Sequence, residues 1–278
     1  MLLPDNQTEL LKAVSAVNSS VAVVLSCGCV IEMQWHKYAK AIIHGYLGGQ
    51  AGAMAMARIL TGKVNPSGKL SETIPLNLAS VPSSPYYPGT ESTCEYREGI
   101  FVGYRYYTTA EVPTMYPFGF GLSYTEFEYS GLRIENDRVF FSVTNIGATD
   151  GAEVAQLYIS PNTNGIFRPK EELKGFERVY LLAGETKEIC IQLNERSFAL
   201  WSTAENGWVT EPGEYRVLVG ASSTDIRLEL CIEKEGAPVD DPYEGKTLDA
   251  YKTCNVQRVS DEEFTALLGK NPPRRTWN

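Results

Sequence analysis

Glu95 and Glu98 stand three residues apart in the stretch EYREGIFVGYRYY (95–107), among two arginines and five aromatic rings. Two carboxyl groups among rings are the residue types that cleave a glycosidic bond, one as acid and one as base or nucleophile. The spacing argues against that use. In an extended segment, side chains three apart point to opposite sides. Each glutamate also has a guanidinium within reach, from Arg97 and Arg105, and a neighbouring cation keeps a carboxylate ionised rather than poised as an acid. The stretch is therefore expected to be a brace. Glu98 should pair with Arg105, and Tyr104 and its neighbours should seal a junction. No catalytic residue is assigned here. With Tyr106, Tyr107, Tyr116, Phe118, Phe120 and Tyr124 the rings could instead form a sugar-stacking wall; burial at a junction is the preferred expectation.

Other chemistry has weaker support. Gly45, Gly48, Gly49 and Gly52 lie between an apolar run and a helical pattern, as in phosphate-binding turns. Their spacing is not G-x-G-x-x-G, and the acidic partner expected about 20 residues on has no match beyond Glu72, so close helix–sheet packing is expected. His36 and His44 fall in no metal-ligand pattern, and His44 reads as a core histidine. There is no G-x-S-x-G elbow. Of six cysteines, only Cys27 and Cys29 are close, as C-x-C, with no second pair to complete a zinc site. Free, mostly buried thiols are expected, and with them a reducing, cytoplasmic setting.

The elements that must position these residues follow from periodicity. Residues 1–85 alternate helix and strand: a helix at 6–18 opened by Asn6 and Glu9, an apolar strand VAVVLS (21–26), a second run KAIIHGYL (40–47), and an Ala- and Gly-rich helix at 48–60. This is α/β, but two strands make only part of a doubly wound sheet. Residues 86–124 form a Tyr-rich connector. From 125 to 235 the pattern turns to period two, in seven runs: FEYSGLRI, RVFFSVTN, AEVAQLYIS, ERVYLL, KEICIQLN, ALWSTAENGWV and GEYRVLVG. Seven short strands with turns between them predict a β-sandwich of fibronectin type III kind. Residues 236–278 form a tail in which VSDEEFTALLGK reads as a helix capped by Ser260, with Glu263 at N3. The fold class is thus α/β followed by all-β.

Composition excludes some partners. The 278 residues carry a net charge of −9, and the only basic run is Arg274-Arg275. An acidic chain repels phosphate backbones, so nucleic acid is not an expected partner. No apolar run reaches the ~18 residues of a spanning helix, so no membrane is expected either. MLLPDNQTELL lacks the pattern of a signal peptide.

Taken in order, these stretches resemble glycoside hydrolase family 3, which includes many β-glucosidases. LPDNQTELLKAV resembles the family's L-P-x-x-Q-x-x-L-I helix. VAVVLSCGCVIEM resembles its V-V-V-L-x-x-G-x-P-x-E-M strand, with Val30 where proline is common. GYLGGQAGAMAMARILTGKVNPSGKLSETIP resembles its Y-x-G-Q block running to N-P-S-G-K-L. EGIFVGYRYY, YPFGFGLSYTEFEYS, RPKEELKGFERVYLLAGETKEI and PGEYRVLVGASSTDIRL follow in the family's order.

The resemblance implies an enzyme of three parts: a (β/α)8 barrel with the nucleophile aspartate, an α/β sandwich with the acid/base glutamate on a loop, and a fibronectin-like domain. It places that loop ahead of Leu3 and the barrel outside this stretch, so neither catalytic carboxylate is carried over. It implies a retaining mechanism, a β-glucoside or oligosaccharide as substrate, and no metal or organic cofactor. This chain is then a C-terminal fragment, inactive alone. The alternative is a non-catalytic carbohydrate-binding or domain-interaction module. A half-sheet with open apolar faces also predicts self-association, as a homo-oligomer or aggregate.

Overall fold

The computed structural model describes residues 1–89, 93–162, 165–241 and 243–272. The Arg274-Arg275 pair lies outside the described residues.

The first part opens with α1 (Asp5–Val17), which leads into β1 (Ala22–Leu25). The helix starts one residue earlier than its pattern suggests. Pro4, whose ring presets a helix-compatible φ, holds the cap position, so the expected Asn6–Glu9 box does not form. A 3-10 turn (Gln34–Tyr38) connects to β2 (Ala41–His44), which runs parallel to β1 with Leu25 opposite His44. Then α2 (Gly52–Leu60) returns. The core beneath is small: Leu25, Ile31, Met33, Trp35 and Ile74. Neither helix buries a residue fully. Leu10 is 65% exposed and Val17 87%. The strand expected to be buried is likewise half open, because β1 has a single neighbour in its sheet.

The connector is more ordered than its sequence suggests. A short β3 (Ile74–Pro75) leads through two 3-10 turns to a bend at residues 97–100. After Gly103 (φ +55°) comes α3 (Tyr104–Thr109), and β4 (Thr114–Tyr116) pairs back onto β3. The expected extended geometry of 95–107 is therefore wrong. Glycines at 99 and 103 adopt positive φ, which reverses the chain and starts a helix.

The second part is a β-sandwich. Its strands are β5 (Phe127–Glu135), β6 (Arg138–Asn145), β7 (Gly151–Asn162), β8 (Glu172–Leu181) and β9 (Thr186–Gln192). A small hairpin follows, β10 (Leu200–Ser202) and β11 (Gly207–Val209), then β12 (Gly213–Gly220) and β13 (Ile226–Lys234). The sheets are β13-β12-β7-β8 and β5-β6-β9. Seven strands were expected and seven form, but the set differs. ALWSTAENGWV is the separate hairpin, and the seventh strand is Ile226–Lys234, whose alternating IRLELCIEK the seven expected runs did not include. Inner residues such as Val139, Phe141, Val143, Leu157 and Val217 make one core, each contributing about 1.5–3 kcal/mol through burial.

β7 is buried on both faces, because the connector covers its outer side. That side carries polar groups, and they are satisfied. Gln156 Nε2 donates to the carbonyls of Gly119 and Ala221, and Tyr158 Oη donates to Gln156 Oε1 at 2.6 Å. A Cβ on Gly119 would stand 2.0 Å from Gln156 Oε1, so only glycine fits there. Lys69 meets Glu153 at 2.7 Å, and Asn65 donates to Asp150 O, tying the first part to the sandwich.

The tail is not loose. It forms α4 (Asp249–Lys252), a 3-10 turn (Val256–Arg258) and α5 (Asp261–Leu268). The capping box of α5 forms as read, from Ser260 and Glu263, and Gly269 ends the helix in the left-handed region. Among the described residues no helix is long and apolar enough to cross a membrane.

Candidate functional site

Two places gather the chemistry. One is the C-terminal end of the parallel pair, where open α/β sheets bind ligands. Cys27 and Cys29 follow β1, and His44 ends β2. Tyr46 N donates to His44 Nδ1 at 3.3 Å, which leaves the proton on Nε2. That nitrogen faces Cys27 Sγ at 4.0 Å, and the Tyr46 ring stacks on the imidazole at 4.0 Å. Burial raises the Cys27 thiol, with Cys29 and Glu72 adding to the effect, and burial lowers the His44 imidazole. Both groups are held neutral, so the pair is a polar contact and not a thiolate–imidazolium nucleophile. His44 is thus only half-buried, as an imidazole with partners. Only two of the four glycines are crowded: a Cβ on Gly48 would meet Gly52 Cα at 2.8 Å, and one on Gly45 would meet Leu25 O at 3.0 Å, whereas Gly49 and Gly52 have nothing within 4 Å of that position. Glu72 sits in a bend before β3, not in a strand, and burial raises its carboxyl.

The other place is the brace at 95–107. The expected Glu98–Arg105 pair does not form. Arg105 lies on α3 and turns to the sandwich, where Nε donates to Glu172 Oε1 at 3.2 Å. Glu98 lies in the preceding bend and is 4% exposed, with Oε2 lacking any hydrogen-bond partner. The helical turn after Gly103 separates the two directions. Arg97 is the true hub. It donates to Glu95, to the Val259 carbonyl at 3.0 Å and to Asp261 Oδ1 at 2.5 Å. Its guanidinium lies between the rings of Tyr86 and Phe264, at 5.0 and 4.9 Å from their centroids. These carboxylates hold Arg97 firmly charged against the opposing effect of burial.

The rings do not act as one wall or one seal. Phe101, Tyr106 and Tyr107 pack on the tail, with Leu248, Tyr251, Val256 and Phe264. Tyr104 packs on the sandwich, with Tyr158 and Leu218. Tyr116 stacks on Phe120 beside the first core. Burial drives the Tyr107 hydroxyl up to about 12 and raises those of Tyr104 and Tyr106 as well, so these three are not acid–base groups at neutral pH.

Sequence reasoning missed Glu171. It precedes β8, is 5% exposed, and has a buried Oε1 without a partner. Burial pushes its carboxyl up to about 7, with Lys170 and Arg216 pulling only weakly the other way. Nothing local marks it, since its burial comes from tertiary packing. A carboxyl raised in the folded state adds stability below its unfolded value. That stability is lost as pH rises through about 7. Between pH 5 and 8 the chain should lose roughly 2 kcal/mol. Urea unfolding at both pH values should show this fall in the parent chain and a flat response at this site in Glu171→Gln.

The six cysteines are free thiols, but only Cys254 is buried. The expectation of mostly buried thiols fails because Cys29, Cys94, Cys190 and Cys231 are exposed. Cys190 and Cys231 lie on edge-facing positions of strands whose inner faces hold the core. Among the described residues no group of three histidine, cysteine or acidic side chains could hold a metal.

Comparison with known proteins fits this architecture. Residues 1–124 match the model of the glycosyl hydrolase family 3 C-terminal domain, and residues 153–223 match that of a fibronectin type III-like domain. Thermostable beta-glucosidase B of Acetivibrio thermocellus is 40% identical over 277 residues, covering 97% of this chain and 36% of that protein. An exo-alpha-(1->6)-L-arabinopyranosidase of Bifidobacterium breve is 45% identical over 84% of this chain and 32% of its own. The crystal structure of a beta-glucosidase from Bifidobacterium adolescentis superposes with a TM-score of 0.81 at 44% identity, over 91% of this chain and 39% of that one. Beta-glucosidase 3B of Thermotoga neapolitana in complex with glucose gives 0.80 at 36% identity, over 86% and 35%. The chain spans about a third of the length of the curated relatives it matches.

Proposed function

Because the chain belongs to glycoside hydrolase family 3, as its C-terminal part, we propose that it serves a β-glucosidase-type enzyme as a frame and turns over no substrate alone. One observation carries the proposal. The chain matches the family's C-terminal domain and a fibronectin type III-like domain, and spans about a third of the length of the curated relatives; the two carboxyls that burial raises among the described residues, Glu72 and Glu171, stand on different parts of it. Glu72 acts on Cys27 beside the parallel strands, and Glu171 lies against Tyr158 of the sandwich. On this reading the nucleophile and the acid/base carboxylate of a retaining mechanism come from the rest of the enzyme.

In that role the exposed faces of α1 and α2 are covered by the remainder of the α/β sandwich and its neighbouring barrel. The Arg97 hub fixes the tail, and the Lys69–Glu153 and Gln156 contacts fix the sandwich. The substrate is a β-glucoside or oligosaccharide. One relative is named for an L-arabinopyranoside, so the shared C-terminal part does not by itself choose the sugar.

The purified chain, free of host glycosidases, should hydrolyse an aryl β-glucoside no faster than a blank. Measurable turnover would overturn the proposal. A second reading, a carbohydrate-binding module, is favoured by one surface feature of the sandwich.

A further inference from the structure

The β10–β11 hairpin has two faces. Its inner side is anchored: Phe198 and Ala199 are buried ahead of β10, Phe198 meets the Tyr215 ring edge-on at 5.3 Å, and Ser202 Oγ accepts from Glu205 N. Its outer side carries Trp201 and Trp208, directly opposite each other in the register. The indoles meet edge to face at 5.7 Å and 80°, and stay 49% and 48% exposed. Their mutual contact supports the hairpin, as cross-strand aromatic pairs do. It does not use the outer halves of the two rings. The Arg196 guanidinium lies over Trp208 at 5.1 Å. Glu205 and Asn206 are exposed in the turn that joins β10 to β11, and Arg196 stands beside Trp208.

We propose that this corner binds glycan: the indoles take the C–H faces of pyranose rings of an oligo- or polysaccharide, and these polar groups bond its hydroxyls. Two perpendicular, half-exposed indoles offer two small apolar faces rather than one broad apolar patch. They match one or two sugar rings, whose apolar faces stack on aromatic faces while planar polar groups read the equatorial hydroxyls. The hairpin would hold a chain on the sandwich while the intact enzyme works on its end. The choice of a β-glucan probe rests on the glycosidase reading, but binding is read without turnover.

The test is the indole N–H spectrum of the full 278-residue chain, titrated with cellohexaose. The Trp201 and Trp208 signals should shift saturably while that of buried Trp35 stays fixed. Trp208→Ala should weaken binding about tenfold, the loss of one ring face. Trp208→Tyr, which keeps a cross-strand ring and so the hairpin, should weaken it severalfold. Shifts with a different hexasaccharide alone would support the corner and count against the glucoside reading. No shift with any glycan, shifts that follow protein concentration instead, or full affinity in Trp208→Tyr would overturn the proposal. Inactivity of an intact enzyme would leave the binding result standing.

Discussion

Replacing Arg97 by alanine should loosen the tail by about 4 kcal/mol, the scale for removing one partner of a buried, hydrogen-bonded charge. The reason is what the substitution strands. The Val259 carbonyl loses its shorter donor and keeps only the Tyr86 hydroxyl at 3.3 Å, Glu95 loses its cation, and the rings of Tyr86 and Phe264 lose the guanidinium packed on them. Arg97→Lys should recover less than half, because an ammonium cannot donate to three acceptors in one plane. Asp261→Ala should cost less than about 1 kcal/mol, since Asp261 is 79% exposed and water replaces it. The readout is protease cleavage within residues 243–272 as a function of urea. Arg97→Ala should open these residues well before the sandwich unfolds. A tail as protected as in the parent would contradict the hub.

Tyr104 is the second large effect. Its ring stacks on Phe118 at 4.8 Å and meets Tyr158 edge-on at 5.9 Å. Its hydroxyl accepts from Leu173 N at 2.8 Å, where the β7–β8 pairing shifts register. Burial raises that hydroxyl, so it stays a neutral acceptor. Tyr104→Ala should destabilise the sandwich by about 4 kcal/mol, the usual cost of an aromatic cavity. Tyr104→Phe should cost about 1–2 kcal/mol, by leaving the Leu173 N–H unpaired. Denaturant unfolding measures both. Equal losses in the two variants would mean that the hydroxyl, not the ring, joins connector and sandwich.

These two residues show what the sequence could reveal. The sandwich was legible because one face of each strand is buried, which imprints period two on runs such as RVFFSVTN. The capping box of α5 was legible because its partners are three residues apart. Tyr104 was legible as structural from its company of rings. The pairings were not. Arg97 finds its tail partners 162 and 164 residues away, and Arg105 finds Glu172 across 67; nothing in 95–107 points to either. Glu98 looked paired because Arg105 is close in sequence, but two positive-φ glycines turn the chain between them. Ile226–Lys234 lay outside the expected runs although IRLELCIEK alternates in strict period two, with Arg227, Glu229 and Glu233 on its exposed face. Glu171 was invisible because its raised carboxyl is a product of packing alone.

We propose that this chain frames a glycosidase site whose carboxylates lie elsewhere. The most direct test is a chimera, in which the chain replaces the matching third of the Acetivibrio thermocellus beta-glucosidase B that is 40% identical to it. Hydrolysis of an aryl β-glucoside should appear in the chimera, survive Glu72→Gln and Glu171→Gln, and be absent from the chain alone. Turnover by the chain alone, or its loss with either glutamate in a folded chimera, would contradict the account.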